Sequence, residues 1–499
     1  MRNRFGYLVP VFGYLGRLLI IFGPVSLSPV IVVLLAGSEP VDFLHIAAYL
    51  LPGLGAVVLG ILSVGFLPVR GLTGREAVLV CALGWIIISA IGAVPFCILL
   101  NTGYLDACFE SVSGFTTTGI TMFSGLDEMP RSILFWRALT QWMGGLGILS
   151  FFLVLAFQGG AAHVLVGAEG HKIFSRRPAP GMFHTLRIIW FIYILFTVVI
   201  AALLLFEGLT VFDAVTHALT TLSTGGYSTH DSSVGYYREN GFAHYRLIEY
   251  TIILGMTLGG ISFLVHYQVL RGRIGALLSN FEIRLFWLIL IGVVALIGFE
   301  HMAKTGDSDI EATFRTSLFQ TLAIITSAGF STENIGDKIY FGVAARQIFL
   351  LLMIIGGCVG STGGGLKVLR IGILFKMIKR QLIRITHPSS VVAPVVVDRE
   401  IVPEEEVRRI ATLFFAWMFL LAGGGIATAI FAGANADIGP YEAFSGMFSA
   451  LGNIGPCYIS ADDMIALHPV VKIVYMFGML AGRLEILPVL LLFSRRAWK

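Results

Sequence analysis

The stretch TLSTGGYST, at residues 221–229, lies between two long apolar runs and decides how the chain folds. A pair of glycines flanked by hydroxyl groups fits a linker, a tight turn or a phosphate-binding loop. The residues on either side favour none of these three. The interpretation therefore depends on whether the same kind of stretch recurs elsewhere in the chain.

The chain contains four versions of one unit that ends in such a loop. They read LDACFESVSGFTTTGIT at 105–121, FDAVTHALTTLSTGGYS at 212–228, RTSLFQTLAIITSAGFS at 315–331 and YEAFSGMFSALGNIGPC at 441–457. One glycine falls at the equivalent position of every copy, as Gly119, Gly226, Gly329 and Gly455. A unit that recurs in this way describes a fold rather than a local coincidence.

Each copy is predicted to contain a short helix. The positions 11, 7 and 4 residues before the glycine are apolar or nearly so in every copy, which is one stripe of a helix. Thirteen residues before the glycine stand Asp106, Asp213, Thr316 and Glu442, which favour a helix start. We therefore expect a helix of about three turns that ends at a glycine-containing loop.

Composition places the chain in a membrane. Of its 499 residues, 56% are hydrophobic and 13% are charged, and the mean hydropathy is +0.86, whereas soluble domains carry roughly 25% charged residues. The net charge of +4 is too small to indicate a nucleic-acid partner. The five cysteines are scattered and form no CxxC pair, so neither a disulfide framework nor a zinc site is predicted.

Apolar runs of about 20 residues, the length that crosses a bilayer, recur along the chain. We predict ten spans: 9–36 and 43–67 first, then the pairs 76–100 with 131–157, 184–206 with 246–270, 284–301 with 343–376, and 407–432 with 469–494. Each short helix lies between the members of a pair. The predicted fold class is an all-α polytopic membrane protein with four tandem span–pore helix–filter loop–span repeats around one central pore, plus two additional N-terminal spans.

The expected boundaries are 1–72 for the N-terminal two-span region, 73–182 and 183–280 for repeats 1 and 2, 281–400 for repeat 3, whose second span is interrupted, and 401–499 for repeat 4. Basic residues indicate the orientation. One side of the membrane carries Arg2, Arg4, Arg70, Arg75, Lys172, Arg176, Arg177, Arg271, Arg273, Lys376, Lys379, Arg380, Arg384, Arg495, Arg496 and Lys499. The other side is rich in acids. Both termini are therefore predicted to be cytoplasmic, and the short helices to enter from outside.

A helix that enters the membrane and stops leaves unsatisfied carbonyls at its end, which is tolerated only inside protein or beside a water-filled path. Four such ends around one axis offer negative potential and hard oxygen ligands, which suit a dehydrated monovalent cation. The predicted filter residues are Thr116, Thr117, Thr118, Gly119, Ser223, Thr224, Gly225, Gly226, Thr326, Ser327, Ala328, Gly329, Asn453, Ile454 and Gly455. Their backbone oxygens would bind the ion, and their hydroxyls would satisfy the surrounding amides. The fourth loop departs from the pattern, so we expect a less symmetric quarter there.

A second segment, 356–365, contains six glycines within an apolar span. Because each glycine costs about 1 kcal/mol in a helix relative to alanine, a continuous helix is not expected. The segment lacks the Lys-Ser/Thr ending of a phosphate loop and follows no strand. Close helix packing through small residues and a flexible intramembrane loop both remain possible from the residues themselves.

The arrangement resembles the Trk/Ktr/HKT superfamily of cation transporters over nearly the whole chain. TTTGI, STGGYST, SAGFST and GNIGP resemble its four filter sequences, and GGCVGSTGGGLKVLR at 356–370 resembles its interrupted third-repeat helix. The two additional N-terminal spans make the chain most similar to the TrkH/TrkG membrane subunit. The resemblance implies a multi-pass protein of the bacterial inner membrane that takes up K⁺ as the transported ion, with glycine at position 119 in keeping with K⁺.

The resemblance also implies a homodimer in the lipid bilayer and a cytosolic TrkA-type nucleotide-binding regulatory subunit, with no nucleotide site in this chain. The alternative is a sodium-selective or sodium/proton-coupled potassium symporter of the same fold. An enzyme is not predicted, because the sequence contains no nucleophile–base arrangement and no HExxH motif.

The resemblance further implies a gate beneath the filter. The expected gate residues are Gly356, Gly357, Gly360, Ser361, Thr362, Gly363, Gly364, Gly365, Lys367 and Arg483. Lys367 borders the loop and is expected near the interface. Arg483 lies within the apolar final span, where a cation is costly and indicates a function. Its alternatives are an ion pair with Glu485 or snorkelling to the surface. His217, in the second short helix, is expected to pack or to form a local hydrogen bond.

Overall fold

Two N-terminal spans precede the repeats. The structure, a computed structural model, describes residues 8–36, 42–67, 71–157, 182–306, 308–387, 393–432 and 438–494. The first span consists of the helices Leu8–Ser26 and Pro29–Ala36, and the second is the helix Phe43–Phe66. They cross closely through small residues, because a Cβ atom built on Gly60 would lie 2.6 Å from the Gly16 carbonyl oxygen.

Repeats 1 and 2 follow the same order of elements. Repeat 1 has the helices Gly74–Gly92, Val94–Leu99, Tyr104–Phe115 and Arg131–Phe157, with a 3₁₀ turn at Leu126–Glu128. Repeat 2 has Met182–Phe206, Val211–Leu222, Gly235–Glu239, Tyr245–Gly260 and Phe263–Leu270, and a short helix at Ala276–Ser279 leads onward. In each repeat a short helix and an irregular loop separate two longer helices.

Repeats 3 and 4 keep this order. Repeat 3 has the helices Phe281–Thr305, Ile310–Ile325, Val343–Leu352 and Val368–Thr386, and repeat 4 has Glu404–Phe431, Pro440–Gly452, Ala461–Ala466, Pro469–Arg483 and Ile486–Leu491. Two short strand pairs are present: Ile355–Gly356 runs parallel to Leu366–Lys367, and Val396–Val397 runs antiparallel to Glu400–Ile401. The expected all-helical membrane fold is thus confirmed.

The ten predicted spans are not all single, unbroken apolar helices. Within the described residues, six helices are long and apolar enough to cross a membrane, and a seventh is counted if one bent pair forms a single span. The six are Leu8–Leu35, Phe43–Phe66, Glu76–Leu99, His184–Phe206, Phe281–Thr305 and Glu404–Phe431. The other predicted spans are the second spans of the repeats, and three of these are broken.

Only the break in repeat 3 was expected. In repeat 2 the helices Tyr245–Gly260 and Phe263–Leu270 meet at 106°. In repeat 4 the helix ends at Arg483 and resumes at Ile486, with Glu485 at a φ of 59°. The second span of repeat 1, Arg131–Phe157, is one helix. Paired glycines permit the bend in repeat 2, but glycine pairs alone do not require it, since repeat 1 has a pair as well.

The four short helices lie where the apolar stripes predict them. Asp106, Asp213 and Glu442 are each the third residue of their helix, where a carboxylate faces the positive helix end. The third short helix differs from the prediction: it begins at Ile310 and has 16 residues, so that Thr316 lies inside it. The Asp309 side chain accepts from the Ala312 amide and starts this helix earlier.

Candidate cation site

The four short helices end in one shared backbone geometry. Thr117, Thr224, Ser327 and Asn453 have φ angles of 51°, 52°, 56° and 54°, and the four aligned glycines have φ angles between 75° and 103°. Left-handed backbone costs a β-branched residue such as threonine roughly 1–2 kcal/mol. The same unfavourable conformation at four equivalent positions indicates that these loops, 116–119, 223–226, 326–329 and 453–455, serve a common purpose; they are called glycine loops 1 to 4 below.

Hydrogen bonds at the helix ends hold this conformation. The residue before each aligned glycine donates its amide N–H to a helix carbonyl five residues earlier: Thr118 to Ser113 at 2.8 Å, Gly225 to Thr220 at 2.9 Å, Ala328 to Ala323 at 2.8 Å and Ile454 to Ser449 at 3.0 Å. This is the Schellman arrangement, in which a left-handed residue follows the helix and satisfies its last carbonyls. The glycine loops are therefore built as helix terminations.

The four loops form a closed ring. A Cβ atom built on Gly119 would lie 2.3 Å from the Gly225 carbonyl oxygen. The other three aligned glycines show the same relation to a carbonyl oxygen of the next loop. The corresponding distances are 2.2 Å from Gly226 to Ala328, 2.2 Å from Gly329 to Ile454 and 2.9 Å from Gly455 to Thr118. The loops therefore follow one another in the order of the repeats, and each glycine leaves room for a carbonyl of the next loop.

The hydroxyls of the loops bond mainly to carbonyls, whereas we expected them to satisfy amides. Thr116 and Thr326 donate to the Val112 and Leu322 carbonyls, each at 2.6 Å. Ser327 matches the expectation, because its Oγ accepts from the Gly364 amide at 2.6 Å. The hydroxyls thus support the loops, and one of them reaches the glycine-rich segment.

The fourth loop keeps the backbone geometry of the others, so its asymmetry lies in its side chain. Asn453 Nδ2 donates to Thr118 Oγ1 and to the Met479 carbonyl, both at 2.9 Å. These bonds connect loop 4 to loop 1 and to the last span. The fourth loop therefore differs from the others in its side chain, which forms hydrogen bonds to another repeat.

Residues 356–365 form an irregular loop directly against the glycine loops. It is closed at its base by the strand pair Ile355–Gly356 and Leu366–Lys367. Thr362 Oγ1 donates to the Leu222 carbonyl at 2.9 Å and to the Gly259 carbonyl at 3.0 Å. The segment is not helical, so helix packing through small residues does not describe it.

The bend in repeat 2 supports this loop. The Cys358 amide donates to the Gly260 carbonyl at 2.8 Å, and the Phe263 amide donates to the Gly360 carbonyl at 3.0 Å. Breaking the helix at Gly260 frees carbonyls that a continuous helix would use internally. The loop from repeat 3 therefore rests on the broken span of repeat 2.

Two buried cations bond to the loop. Arg483 is 3% exposed and donates to the Thr362 carbonyl at 2.6 Å and to the Gly144 carbonyl at 3.1 Å. Lys367 is 5% exposed and donates to the Gly363 carbonyl at 2.5 Å, so it is buried against the loop that it borders. Glu485 binds Arg370 at 2.5 Å, so it is not the partner that the sequence offered for Arg483.

Two candidate functional residues were not predicted from the sequence. Glu282, 5% exposed, accepts from the amides of Val359 and Leu369 at 2.8 and 3.2 Å and thus connects the glycine-rich segment to the start of the helix Val368–Thr386. Gln141 bonds to glycine loop 2. A polar residue within an apolar span is the signal that could have identified Gln141, whereas Glu282 lies in the first turn of its helix, just outside the predicted span 284–301. His217 meets its expectation, with a bond between Nδ1 and the Asp213 carbonyl at 2.9 Å.

The donor set around the ring consists of backbone oxygens. Among the described residues, no group of three or more His, Cys, Asp or Glu side chains could hold a metal ion. Long apolar helices that surround four buried loops of this kind define the chain as a membrane transport protein.

A family model described as "TrkH: Cation transport protein" matches residues 75–498. The chain therefore belongs to the TrkH family of cation transport proteins. This confirms the family that the sequence motifs resemble, and a transport protein rather than an enzyme.

Individual relatives agree with the family. The Trk system potassium uptake protein TrkH of Salmonella typhimurium is 34% identical over 437 residues, covering 86% of this chain and 87% of the relative. That of Halomonas elongata is 30% identical over 502 residues, covering 97% and 98%. The crystal structure of the potassium transporter TrkH from Vibrio parahaemolyticus is similar over 100% of both chains, with a TM-score of 0.85 and 28% identity.

Proposed function

We propose that the chain takes up potassium across the cytoplasmic membrane through a filter of backbone oxygens from the four glycine loops. The closed ring of loops carries this proposal, because each aligned glycine leaves space for a carbonyl oxygen of the next loop. Rings of carbonyls replace the hydration shell of a monovalent cation. The relatives named as potassium uptake proteins favour K⁺ as the ion.

The physical environment of the ring also favours a cation. Four short helices point their C-terminal ends at it, and each end carries a partial negative charge of roughly half an elementary unit. The filter would comprise residues 116–119, 223–226, 326–329 and 453–455, with the backbone oxygens as ligands and the side chains as supports. A neutral ligand set of this kind lets an ion leave as well as enter.

The gate in this proposal is the loop 356–367 with Arg483. The loop bonds to glycine loops 2 and 3 through Thr362 and Gly364, and Arg483 donates to the Thr362 carbonyl. The buried charges of Arg483 and Lys367 oppose the passage of a cation beside them. Conduction then requires the loop to move away from the glycine loops.

Regulation and assembly complete the proposal. We assign to the chain the four repeat boundaries predicted above, cytoplasmic termini in a bacterial inner membrane, and a homodimeric state. A cytosolic TrkA-type subunit would supply nucleotide binding, since the segment 356–365 lacks the ending of a phosphate loop. The relatives named as parts of a Trk system support such a partner.

Uptake of isotopic rubidium into proteoliposomes tests the function. The purified protein is expected to accumulate rubidium against a potassium-loaded interior, with and without its cytosolic subunit, and excess external sodium is expected to compete weakly. Vesicles without protein are the control. Sodium uptake that exceeds rubidium uptake, or rubidium uptake that requires sodium or a proton gradient, would favour the symporter alternative. An absence of rubidium uptake under any gradient would contradict the proposal.

A further inference from the structure

Glycine loop 2 receives a side-chain amide that reaches it from another repeat. Gln141, in the helix Arg131–Phe157 of repeat 1, is fully buried. Its Nε2 donates to the Gly225 carbonyl oxygen at 2.6 Å, and its Oε1 accepts from the Tyr227 amide at 3.0 Å. The two bonds fix the peptide groups on both sides of Gly226.

The other repeats carry methionine at the equivalent place. In repeats 1, 2 and 4, one glycine of the second span packs against the carbonyl oxygen four residues before the aligned glycine. A Cβ atom on these glycines would lie close to that oxygen: Gly144 at 2.2 Å, Gly259 at 2.9 Å and Gly482 at 2.0 Å. The three glycines are therefore equivalent positions. Three residues before them lie Gln141, Met256 and Met479, and Met353 has the same place before Gly356 in repeat 3. All three methionines are buried. Methionine has the length of glutamine but no N–H to donate.

The absence of a side chain at Gly225 makes room for the Gln141 amide. The residue before the aligned glycine is Thr118, Ala328 or Ile454 in the other loops, and glycine only in loop 2. A Cβ atom on Gly225 would lie 2.3 Å from Gln141 Cδ and 2.4 Å from its Oε1. The Gln141 amide therefore fits only where residue 225 is glycine. Gln141 and Gly225 are both particular to glycine loop 2, and the position of the first requires the second.

We infer that Gln141 is a positioning residue that helps to set ion selectivity, by fixing the Gly225 carbonyl and drawing on its electron density. The inference rests on the proposed function, since it needs the ring to bind the ion. The smaller sodium ion needs carbonyls that approach closely and act as strong ligands to replace its hydration shell. A carbonyl oxygen that already accepts a hydrogen bond from an N–H is less free to approach an ion and is a weaker ligand, so the bond disfavours sodium.

The test replaces Gln141 by the residue of the other repeats. We expect Gln141→Met to lower the ratio of rubidium to sodium uptake in proteoliposomes by about five- to tenfold, the effect of losing one buried hydrogen bond of about 1–1.4 kcal/mol. The double variant Gln141→Met/Gly225→Ala recreates the methionine and side-chain pairing of the other quarters. It is expected to keep the lowered ratio, because it restores packing but not the hydrogen bond.

Met256→Leu is the matched control, a change of similar volume at the equivalent place, and its selectivity is expected to equal that of the wild type. A wild-type ratio in both Gln141 variants would overturn the inference and leave the proposed function intact. Recovery of selectivity in the double variant alone would also overturn it, since the effect would then come from packing. A wild-type protein that carries no rubidium would instead overturn the proposed function, and with it the inference.

Discussion

At the scale of single residues, a buried ion pair within repeat 1 also bonds to the backbone just after glycine loop 2. Arg137 Nε donates to Glu110 Oε1 at 2.8 Å, and Arg137 also donates to the Ser228 carbonyl at 3.1 Å. Both side chains are at most 1% exposed. Removing one partner leaves a buried charge uncompensated, which costs about 3–5 kcal/mol. We therefore expect Arg137→Met to lower the thermal unfolding temperature of the detergent-purified protein.

The double variant Glu110→Gln/Arg137→Met is the control for this prediction. It removes both charges. In the wild type the Met122 backbone N–H donates to Glu110 Oε2 at 2.8 Å, and the side-chain oxygen of the introduced glutamine can still accept this bond. Its unfolding temperature is expected to lie between those of the single variant and the wild type. A double variant less stable than Arg137→Met would show that the pair is not the source of the cost.

The residues of the ring were predictable because the repeat displays them. Gly119, Gly226 and the two later aligned glycines follow from comparing four loops, and Arg483 follows from its place in an apolar run. Gln141 and Glu282 did not follow. Their partners lie in other elements, 84 residues away for Gly225 and 77 for Val359, and one sequence gives no measure of such distances.

At the scale of elements, the loop 356–367 and the last span meet through Arg483. Its bonds to the Thr362 and Gly144 carbonyls join the loop to both repeat 4 and repeat 1. Arg483→Ala removes a buried positive charge and both bonds, so we expect rubidium uptake to rise several-fold. Uptake into proteoliposomes, normalised to inserted protein, measures the effect.

Arg483→Lys is the matched control for this substitution. Lysine keeps the charge but lacks the planar fork that reaches two carbonyls, so its uptake is expected to lie between those of the alanine variant and the wild type. Unchanged or lower uptake by a normally inserted Arg483→Ala protein would refute the barrier role. Equal uptake by the lysine and alanine variants would assign the barrier to the bonds rather than the charge.

The broken spans show where prediction from the sequence fails at this scale. Glycine pairs stand in the second spans of repeats 1 and 2, yet the first helix is continuous and the second bends by 106°. The difference comes from a tertiary contact: the Gly260 carbonyl accepts from the Cys358 amide of another repeat. Local composition permits a break at both places, and packing decides which one occurs.

At the scale of the whole molecule, the order of spans and short helices follows from hydropathy and the repeat, whereas the closure of the ring does not. The ring is closed by contacts between neighbouring repeats. For example, a Cβ atom built on Gly226 would lie 2.2 Å from the Ala328 carbonyl oxygen. A spacing pattern along one chain shows that the loops are alike. It does not show that they meet, or in which order.

The closed ring makes a final prediction that separates contact from backbone strain. Gly226 and Gly125 have similar left-handed φ angles, 77° and 73°, so alanine is strained at both. A Cβ atom on Gly226 meets the Ala328 oxygen, whereas one on Gly125 has no atom within 4 Å. We expect Gly226→Ala to reduce rubidium uptake at least about tenfold and Gly125→Ala to leave it nearly unchanged, because only the former displaces a neighbouring carbonyl. Equal losses in the two variants, at equal insertion, would attribute the effect to strain and remove the need for a closed ring.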